Sequence, residues 1–171
     1  MKPESPPLKG SQLLTENTTH SAESETPLTK HIYGLVETQE YGQAIQVLQT
    51  LLDSGRRERS VLSVLGFCHF KIQNYEAAAE IYAMLVEICP EVADYAFYLV
   101  QCLCTTNQNQ KAYHICQEKL IGNGGPYESE AKQICANILY EDGQFNEALQ
   151  VLQGSTITAE DTDVQSHEEV S

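Results

Sequence analysis

The feature that most constrains this chain is an internal repeat with a period of 34 residues. An aromatic residue followed three positions later by alanine occurs at Tyr41 to Ala44, Tyr75 to Ala78 and Phe145 to Ala148. The segment Asn109 to Ala112 fills the remaining interval. The four alanines are spaced by 34, 34 and 36 residues, and the two extra residues fall beside the Gly-rich stretch 122–126. A fixed phase of this kind predicts several copies of one structural unit.

Each unit is predicted to be an antiparallel pair of helices. In the second copy, the polar pair Gln73-Asn74 interrupts the helical spacing of apolar residues. Pro90 cannot lie inside a helix without losing a hydrogen bond, so two shorter helices fit this copy better than one long helix. Gly66 and Ala78 are small enough to let the two helices approach closely, while an apolar stripe on the second helix packs on its neighbours. A helix pair repeated every 34 residues is typical of the tetratricopeptide repeat.

The sequence therefore predicts an all-α fold, a right-handed α-solenoid of about four tetratricopeptide helix pairs with disordered N- and C-terminal tails. The repeat domain is expected at residues 28–153. Its four repeats are expected at 28–58, 59–92, 93–126 and 127–153. Residues 1–27 are rich in Pro, Ser, Thr and Glu, and residues 154–171 carry five acidic and no basic side chains, which indicates disordered tails.

Composition makes several partners unfavourable. The chain has 24 acidic against 10 basic side chains, so nucleic acid and anionic membrane surfaces would be repelled. No segment has the apolar length of a membrane span, and no apolar stretch of a secretory leader follows the first basic residue. We therefore expect a cytosolic chain with no membrane insertion.

All six cysteines lie in apolar stretches that are predicted to be helical. They are Cys68, Cys89, Cys102, Cys104, Cys116 and Cys135. We interpret them as buried free thiols, because there is no Cys-x-x-Cys pair and because Cys102 and Cys104 point to different faces of a helix. A zinc or redox site is the alternative interpretation. No metal and no cofactor is predicted.

Catalytic motifs are missing from the sequence. There is no His-Glu-x-x-His, no Gly-rich phosphate loop after a strand, and no Ser or Cys motif with a local base. The stretch 122–126 joins two helices and is interpreted as a turn. His69 and His114 lie in helical stretches and are interpreted as structural histidines. The sequence thus predicts a protein that is not an enzyme.

The predicted partner-binding surface is an inner groove lined by the first helix of each pair. The residues expected to line it are Tyr33, Phe67, Phe70, Lys71, Phe97, Gln101, Asn137 and Tyr140. An aromatic groove with few charges favours an extended apolar or proline-containing segment, because such a segment loses little entropy when it docks. The alternative is that the large aromatic side chains pack between neighbouring repeats.

Four segments go beyond what a tetratricopeptide repeat requires. They are LTKHIYGLVETQEYGQAIQVLQTLL, RSVLSVLGFCHFKIQNYEAAAEIYAMLVEICPEVADYAFYLVQCL, AYHICQEKL and QICANILYEDGQFNEALQVL. With them, residues 29–152 resemble the amino-terminal part of the fleer family, which is the tetratricopeptide subunit of the intraflagellar transport B complex. Phe67 and Phe70 fall in the aromatic-Cys-x-aromatic motif of that family.

The resemblance implies a scaffold of the cytoplasm and cilium that wraps a proline-containing segment of another intraflagellar transport B subunit. It also implies indirect support of cilium assembly and of tubulin polyglutamylation. Family members are several times longer, which suggests a truncated copy, a short isoform or a piece that pairs with another protein. Its last helix would then lack the repeat that covers it. There are two alternative functions. One is a generic cytosolic tetratricopeptide adaptor with an unrelated partner, and the other is direct catalysis of tubulin glutamylation, for which an ATP-binding element is missing.

Overall fold

The computed structural model describes residues 26–154 of the 171-residue chain. Within this part the regular structure is helical and no strand occurs. The chain divides into two compact units between Cys89 and Pro90. Most residues of the predicted disordered tails lie outside the described residues. Thr26 and Gly154 flank the first and last helices, and Pro27 begins the first helix. None of the helices described is long and apolar enough to cross a membrane.

Among its described residues, the first unit contains four helices, each of which packs on the next along the chain. They are α1 (Pro27–Glu37), α2 (Tyr41–Asp53), α3 (Arg59–Lys71) and α4 (Tyr75–Ile88). The side chain of Thr26 caps α1 by accepting a hydrogen bond from the backbone N–H of Thr29 at 3.3 Å. Pro27 occupies the first turn of α1, where its missing N–H costs no hydrogen bond.

The second unit also contains four α-helices among its described residues. They are α5 (Ala93–Thr105), α6 (Asn109–Ile115), α7 (Glu128–Glu141) and α8 (Phe145–Gln153). The helix α6 runs directly into a π-helical turn, Cys116–Leu120, which the sequence did not predict. The Gly-rich stretch 122–126 follows this turn and connects it to α7, as the sequence predicted.

The turn inside each helix pair has one backbone conformation that recurs with the sequence repeat. Its central residue has a positive φ in all four pairs, namely Gln39 at 61°, Gln73 at 64°, Asn107 at 58° and Gly143 at 79°. The N–H of the following residue donates to the carbonyl five residues earlier at 2.8 to 2.9 Å, which is a Schellman motif. These turns lie 34, 34 and 36 residues apart. The backbone therefore repeats with the same intervals as the alanines.

Gly66 and Ala78, which were predicted to allow close helix packing, are buried. The other alanines of the repeat, Ala44, Ala112 and Ala148, are also buried. Gly66 of α3 faces α4 so closely that an added Cβ would lie 3.1 Å from Ile81 Cγ2 and 3.3 Å from Tyr82 Cζ. Such distances are shorter than ordinary van der Waals contact, so a side chain at this position would require Ile81 or Tyr82 to shift by a few tenths of an ångström.

Candidate partner-binding surfaces

In the first unit, Tyr33 lies in an open cleft. Its side chain is half-buried on α1, and the cleft is bounded by side chains of α1, α2 and α3. The apolar side chains that line the cleft with Tyr33 include Leu28, Ile32, Leu48, Leu51, Val61 and Val64. The polar rim includes Arg56 and Glu58, which form an exposed ion pair at 3.3 Å. Tyr33 can therefore contact an apolar group that enters this cleft.

Phe67 on α3 is mostly buried by contacts inside the first unit. Only 6% of its surface is exposed. The ring of Tyr41 on α2 meets it edge-on, with centroids 6.1 Å apart and an interplanar angle of 80°. The Nζ of Lys71 lies 5.3 Å from the centroid of Phe67, within the range of a cation–π interaction. A partner could reach little more than the edge of this ring.

Phe70 and Lys71 end α3 and are more accessible than Phe67. Phe70 is half-buried and meets the ring of Tyr75 on α4 edge-on, with centroids 5.5 Å apart. Lys71 is exposed, and its position in the last turn of α3 is favourable for a positive charge. Together they present an aromatic and a cationic group at one end of α3.

His69 lies between these residues in a different environment. It is half-buried, and its Nδ1 has no hydrogen-bond partner among the residues that the structure describes. Burial lowers the pKa of His69 because the charged imidazolium is poorly solvated there. The neutral form is therefore favoured at pH 7, which suits the structural role that was predicted for this residue.

In the second unit, Phe97 of α5 takes part in an aromatic stack. Its ring lies almost parallel to that of Tyr127, with centroids 4.2 Å apart and an interplanar angle of 10°. Phe97 is only 6% exposed, and Tyr127 comes from the residue just before α7. Because Tyr127 lies outside the periodic segments, the sequence pattern gave no sign that it would stack on Phe97.

The other predicted contact residues of the second unit differ in accessibility. Gln101 on α5 is half-buried, and its Oε1 has no hydrogen-bond partner within residues 26–154. Asn137 and Tyr140 on α7 are exposed. Tyr140 meets the ring of Phe145 on α8 edge-on, with centroids 5.1 Å apart. Gln101 and Asn137 supply amide groups that can bind a peptide backbone, and Tyr140 supplies an accessible aromatic ring.

Five of the six cysteines are buried, Cys104 is partly buried, and all six are free thiols. Burial raises the pKa of Cys68 to about 11 and that of Cys102 to about 12. In the second unit, a hydrogen bond to Cys135 and burial together raise the pKa of Cys116. Among the described residues, no group of three or more His, Cys, Asp or Glu side chains could hold a metal ion. The thiols whose pKa is raised are therefore protonated and poorly reactive at neutral pH.

Similarity to solved structures is consistent with this fold. MamA AMB-1 has a TM-score of 0.64 and 20% identity, covering 78% of this chain and 72% of that one. A MamA fragment from Desulfovibrio magneticus RS-1 has a TM-score of 0.61 and 18% identity, covering 77% of both chains. MamA is a tetratricopeptide-like helical solenoid protein. The class defined by the repeated helix pairs is thus the tetratricopeptide-type helical repeat protein, and the predicted fold class is confirmed.

Similarity to curated proteins identifies the relatives within this class. Intraflagellar transport protein 70A of Xenopus tropicalis is 33% identical over 123 residues, covering 70% of this chain and 18% of the relative. The human protein of the same name is 30% identical over 117 residues, covering 68% of this chain and 17% of the relative. No protein-family model matches the chain.

The predicted resemblance is therefore confirmed: about 70% of this chain is similar in sequence to the intraflagellar transport 70 (fleer) proteins. The matched part corresponds to their amino-terminal tetratricopeptide portion. The chain spans less than one fifth of the length of the relatives that it matches.

Proposed function

We propose that this chain is a non-enzymatic tetratricopeptide scaffold of intraflagellar transport, acting in the cytoplasm and the cilium. The observation that carries the proposal is the homology to intraflagellar transport 70 proteins over 70% of the chain. The repeated helix pairs support it, because such pairs are used to bind other proteins. The expected partners are other subunits of the intraflagellar transport B complex.

The proposed ligand is an extended, proline-containing segment of such a subunit. In the first unit its contacts are Tyr33, Phe70 and the exposed Lys71. Aromatic rings pack well on proline, and an extended proline-rich backbone is already ordered before it binds. Lys71 can bind a carbonyl or an acidic side chain of the segment. The nearly buried Phe67 acts as a positioning residue, since its ring lies beneath the ammonium group of Lys71.

The second unit carries contact residues of its own. Gln101 and Asn137 are suited to hydrogen bonds with the backbone of an extended segment, which cannot satisfy its own N–H and C=O groups. Tyr140 offers a ring that is 65% exposed. Phe97 is proposed to position α5 through its stack on Tyr127, because a partner could reach only a small part of its ring.

The same proposal includes a role in tubulin polyglutamylation, which the scaffold would support only indirectly. The scaffold would act through transport of other components, and no residue of this chain is assigned a catalytic step. Loss of partner binding should then lower axonemal polyglutamylation only in cells where transport itself is reduced.

The proposal is tested with overlapping 15-residue peptides from intraflagellar transport B subunits and the purified 171-residue chain. Fluorescence anisotropy should identify at least one proline-containing peptide that binds. A Phe70→Ala, Lys71→Ala double variant should weaken that binding at least about tenfold, since two contacts are removed. Ile88→Ala, which changes an exposed apolar residue of α4, should leave binding unchanged. Equal binding by all three proteins, or no binding by any peptide, would contradict the proposal.

A further inference from the structure

Three of the six cysteines come together in the second unit. Cys104 lies in the last turn of α5, Cys116 begins the π-helical turn after α6, and Cys135 lies in the middle of α7. The thiol of Cys116 donates a hydrogen bond to the sulfur of Cys135. The side-chain amide of Gln117 donates to the same sulfur, with its Nε2 3.9 Å from Sγ. Two sulfur atoms from different helical segments are therefore direct neighbours.

The π-helical turn positions one side of this thiol pair. The backbone N–H of Ile121 donates to the carbonyl of Cys116, five residues earlier, at 2.9 Å, which is the hydrogen bond of a π-helix. This turn packs on α7, so that Cys116 and Gln117 both contact Cys135. Single π-helical turns within helices are frequently found at functional sites.

Neighbouring repeats have larger apolar residues at the equivalent positions. Counted from the central residue of the turn in each helix pair, Cys116 corresponds to Tyr82 of α4 and Cys135 corresponds to Leu99 of α5. All four side chains are at most 5% exposed. A larger apolar side chain would remove more surface from water, so burial alone does not favour a cysteine at either position. The pair of thiols therefore favours a chemical role in addition to packing.

The two thiols differ in how readily they lose a proton. The hydrogen bond from Cys116 lowers the pKa of Cys135, and the Gln117 amide acts in the same direction, while burial opposes both. The same hydrogen bond raises the pKa of Cys116, and burial adds to this effect. Cys135 is therefore suited to attack an oxidant as a thiolate, and Cys116 is suited to react with the oxidised product.

We propose that Cys116 and Cys135 form a redox modification site, at which hydrogen peroxide converts the two thiols into a disulfide. The Cys135 thiolate attacks one peroxide oxygen, so that an S–O bond forms, the O–O bond breaks and hydroxide leaves. That hydroxide takes up the proton that Cys135 released. The sulfur of Cys116 then attacks the sulfur of Cys135, the S–S bond forms, and the oxygen leaves as water with the proton of Cys116. The thiols lose two electrons, and peroxide is reduced to two molecules of water.

The segment that carries Cys116 is short, with seven residues in α6 and five in the π-helical turn. Local opening of this segment admits peroxide to the buried pair. The disulfide then links the π-helical turn to α7 across the connection 122–126. The site shares no residue with the proposed contacts for an extended segment, so either proposal can fail without the other.

The test treats the folded, untagged 171-residue chain with hydrogen peroxide and then blocks the remaining thiols with N-ethylmaleimide under denaturing conditions. Trypsin digestion and mass spectrometry identify the products. Cleavage after Lys111, Lys119 and Lys132 places Cys116 and Cys135 in the separate peptides 112–119 and 133–171, with one cysteine in each. A link between these two peptides therefore reports this disulfide and no other.

The linked peptide should be at least about tenfold more abundant than any other cysteine-linked pair, and dithiothreitol should remove it. Cys104→Ser, the matched control within the same cluster, should leave the link in place. In Cys116→Ser, the sulfenic acid of Cys135 should persist and be labelled by dimedone. In Cys135→Ser, Cys116 should remain unlabelled, because its thiol keeps its proton.

Three results with the wild-type chain would overturn the proposal, whether or not the variants fold. The first is the absence of the link after treatment of a chain that circular dichroism shows to be folded. The second is a link from Cys104 that is as abundant as that between Cys116 and Cys135. The third is oxidation of Cys135 to the sulfinic acid without any link. Dimedone labelling of Cys116 in a folded Cys135→Ser chain would overturn the assignment of Cys135 as the attacking thiol.

Discussion

Gly66 of α3 lies against Tyr82 of α4 so closely that a Cβ on the glycine would come within 3.3 Å of Tyr82 Cζ. Tyr82 is almost completely buried, so its ring cannot easily move aside. The contact between α3 and α4 thus leaves little room for a side chain at position 66.

Gly66→Ala should therefore lower the free energy of unfolding. Overpacking typically costs about 1–3 kcal/mol, while alanine gains about 1 kcal/mol over glycine inside a helix. A net loss of about 1 kcal/mol is expected, measured by urea unfolding. Gly34→Ala in α1 is the control, because nothing lies within 4 Å of a Cβ at that position. It should stabilise the chain by up to about 1 kcal/mol, and an equal gain from Gly66→Ala would contradict the packing described.

The repeated turn gives a second prediction. Gly143 has a φ of 79°, and no atom lies within 4 Å of the point that a Cβ would occupy, so only backbone strain opposes a side chain there. Gly143→Ala should lower the free energy of unfolding by about 1 kcal/mol, as expected for a left-handed non-glycine residue. Gly143→Asn should cost less, because Asn tolerates this conformation and Asn107 occupies the same turn position in the previous pair. Equal losses for both variants would show that the backbone conformation is not the cause.

The stack of Phe97 on Tyr127 should appear as an energetic coupling between the two residues. A double-mutant cycle with Phe97→Leu and Tyr127→Leu isolates the ring–ring term, because each leucine keeps most of the apolar volume. We expect a coupling of about 1 kcal/mol in the free energy of unfolding. Additive losses, within the error of urea titrations, would mean that the stack contributes no more than ordinary apolar burial.

The buried thiols predict a loss of stability at alkaline pH. Burial raises the pKa of Cys102 to about 12 in the folded chain, whereas a thiol in the unfolded chain has a pKa near about 8.5. The stability that the protonated Cys102 thiol contributes is fully present below its pKa in the unfolded chain. This stability is lost as the pH rises towards the pKa of Cys102 in the folded chain. Each such thiol should lower the free energy of unfolding by up to about 1.4 kcal/mol per pH unit.

Urea unfolding at pH 8 and pH 10 under reducing conditions measures this loss. Cys102→Ala removes one thiol, so its stability should fall less steeply with pH than that of the wild type. Parallel pH dependences for the two proteins would contradict a raised pKa of Cys102 in the folded chain.

The repeat and its helix pairs could be predicted from the sequence because they depend on local and periodic signals. Ala44 and Ala78 mark close contacts by their size, and Gln73-Asn74 marks a break by its polarity. The π-helical turn Cys116–Leu120 has no such signal, since its residues continue the pattern of an ordinary helix.

The accessibility of the predicted contact residues could not be read from register alone. Phe67 and Phe97 occupy first-helix positions that were assigned to the groove, yet each ring is only 6% exposed and contacts a tyrosine, Tyr41 or Tyr127. Which aromatic residue covers another depends on tertiary contacts that a single sequence does not display. Their direct contact with a partner therefore stays a prediction, and Phe70 is the more informative position to change.

The most direct test of the proposed scaffold is affinity capture of the tagged chain from ciliated cells. Mass spectrometry would compare the wild type, the Phe70→Ala, Lys71→Ala variant and the Ile88→Ala control. We expect intraflagellar transport B subunits with the wild type and the control, and a clear reduction with the double variant. Absence of these subunits from the wild-type sample, with unrelated proteins recovered reproducibly in their place, would contradict a role in intraflagellar transport and favour a general tetratricopeptide adaptor.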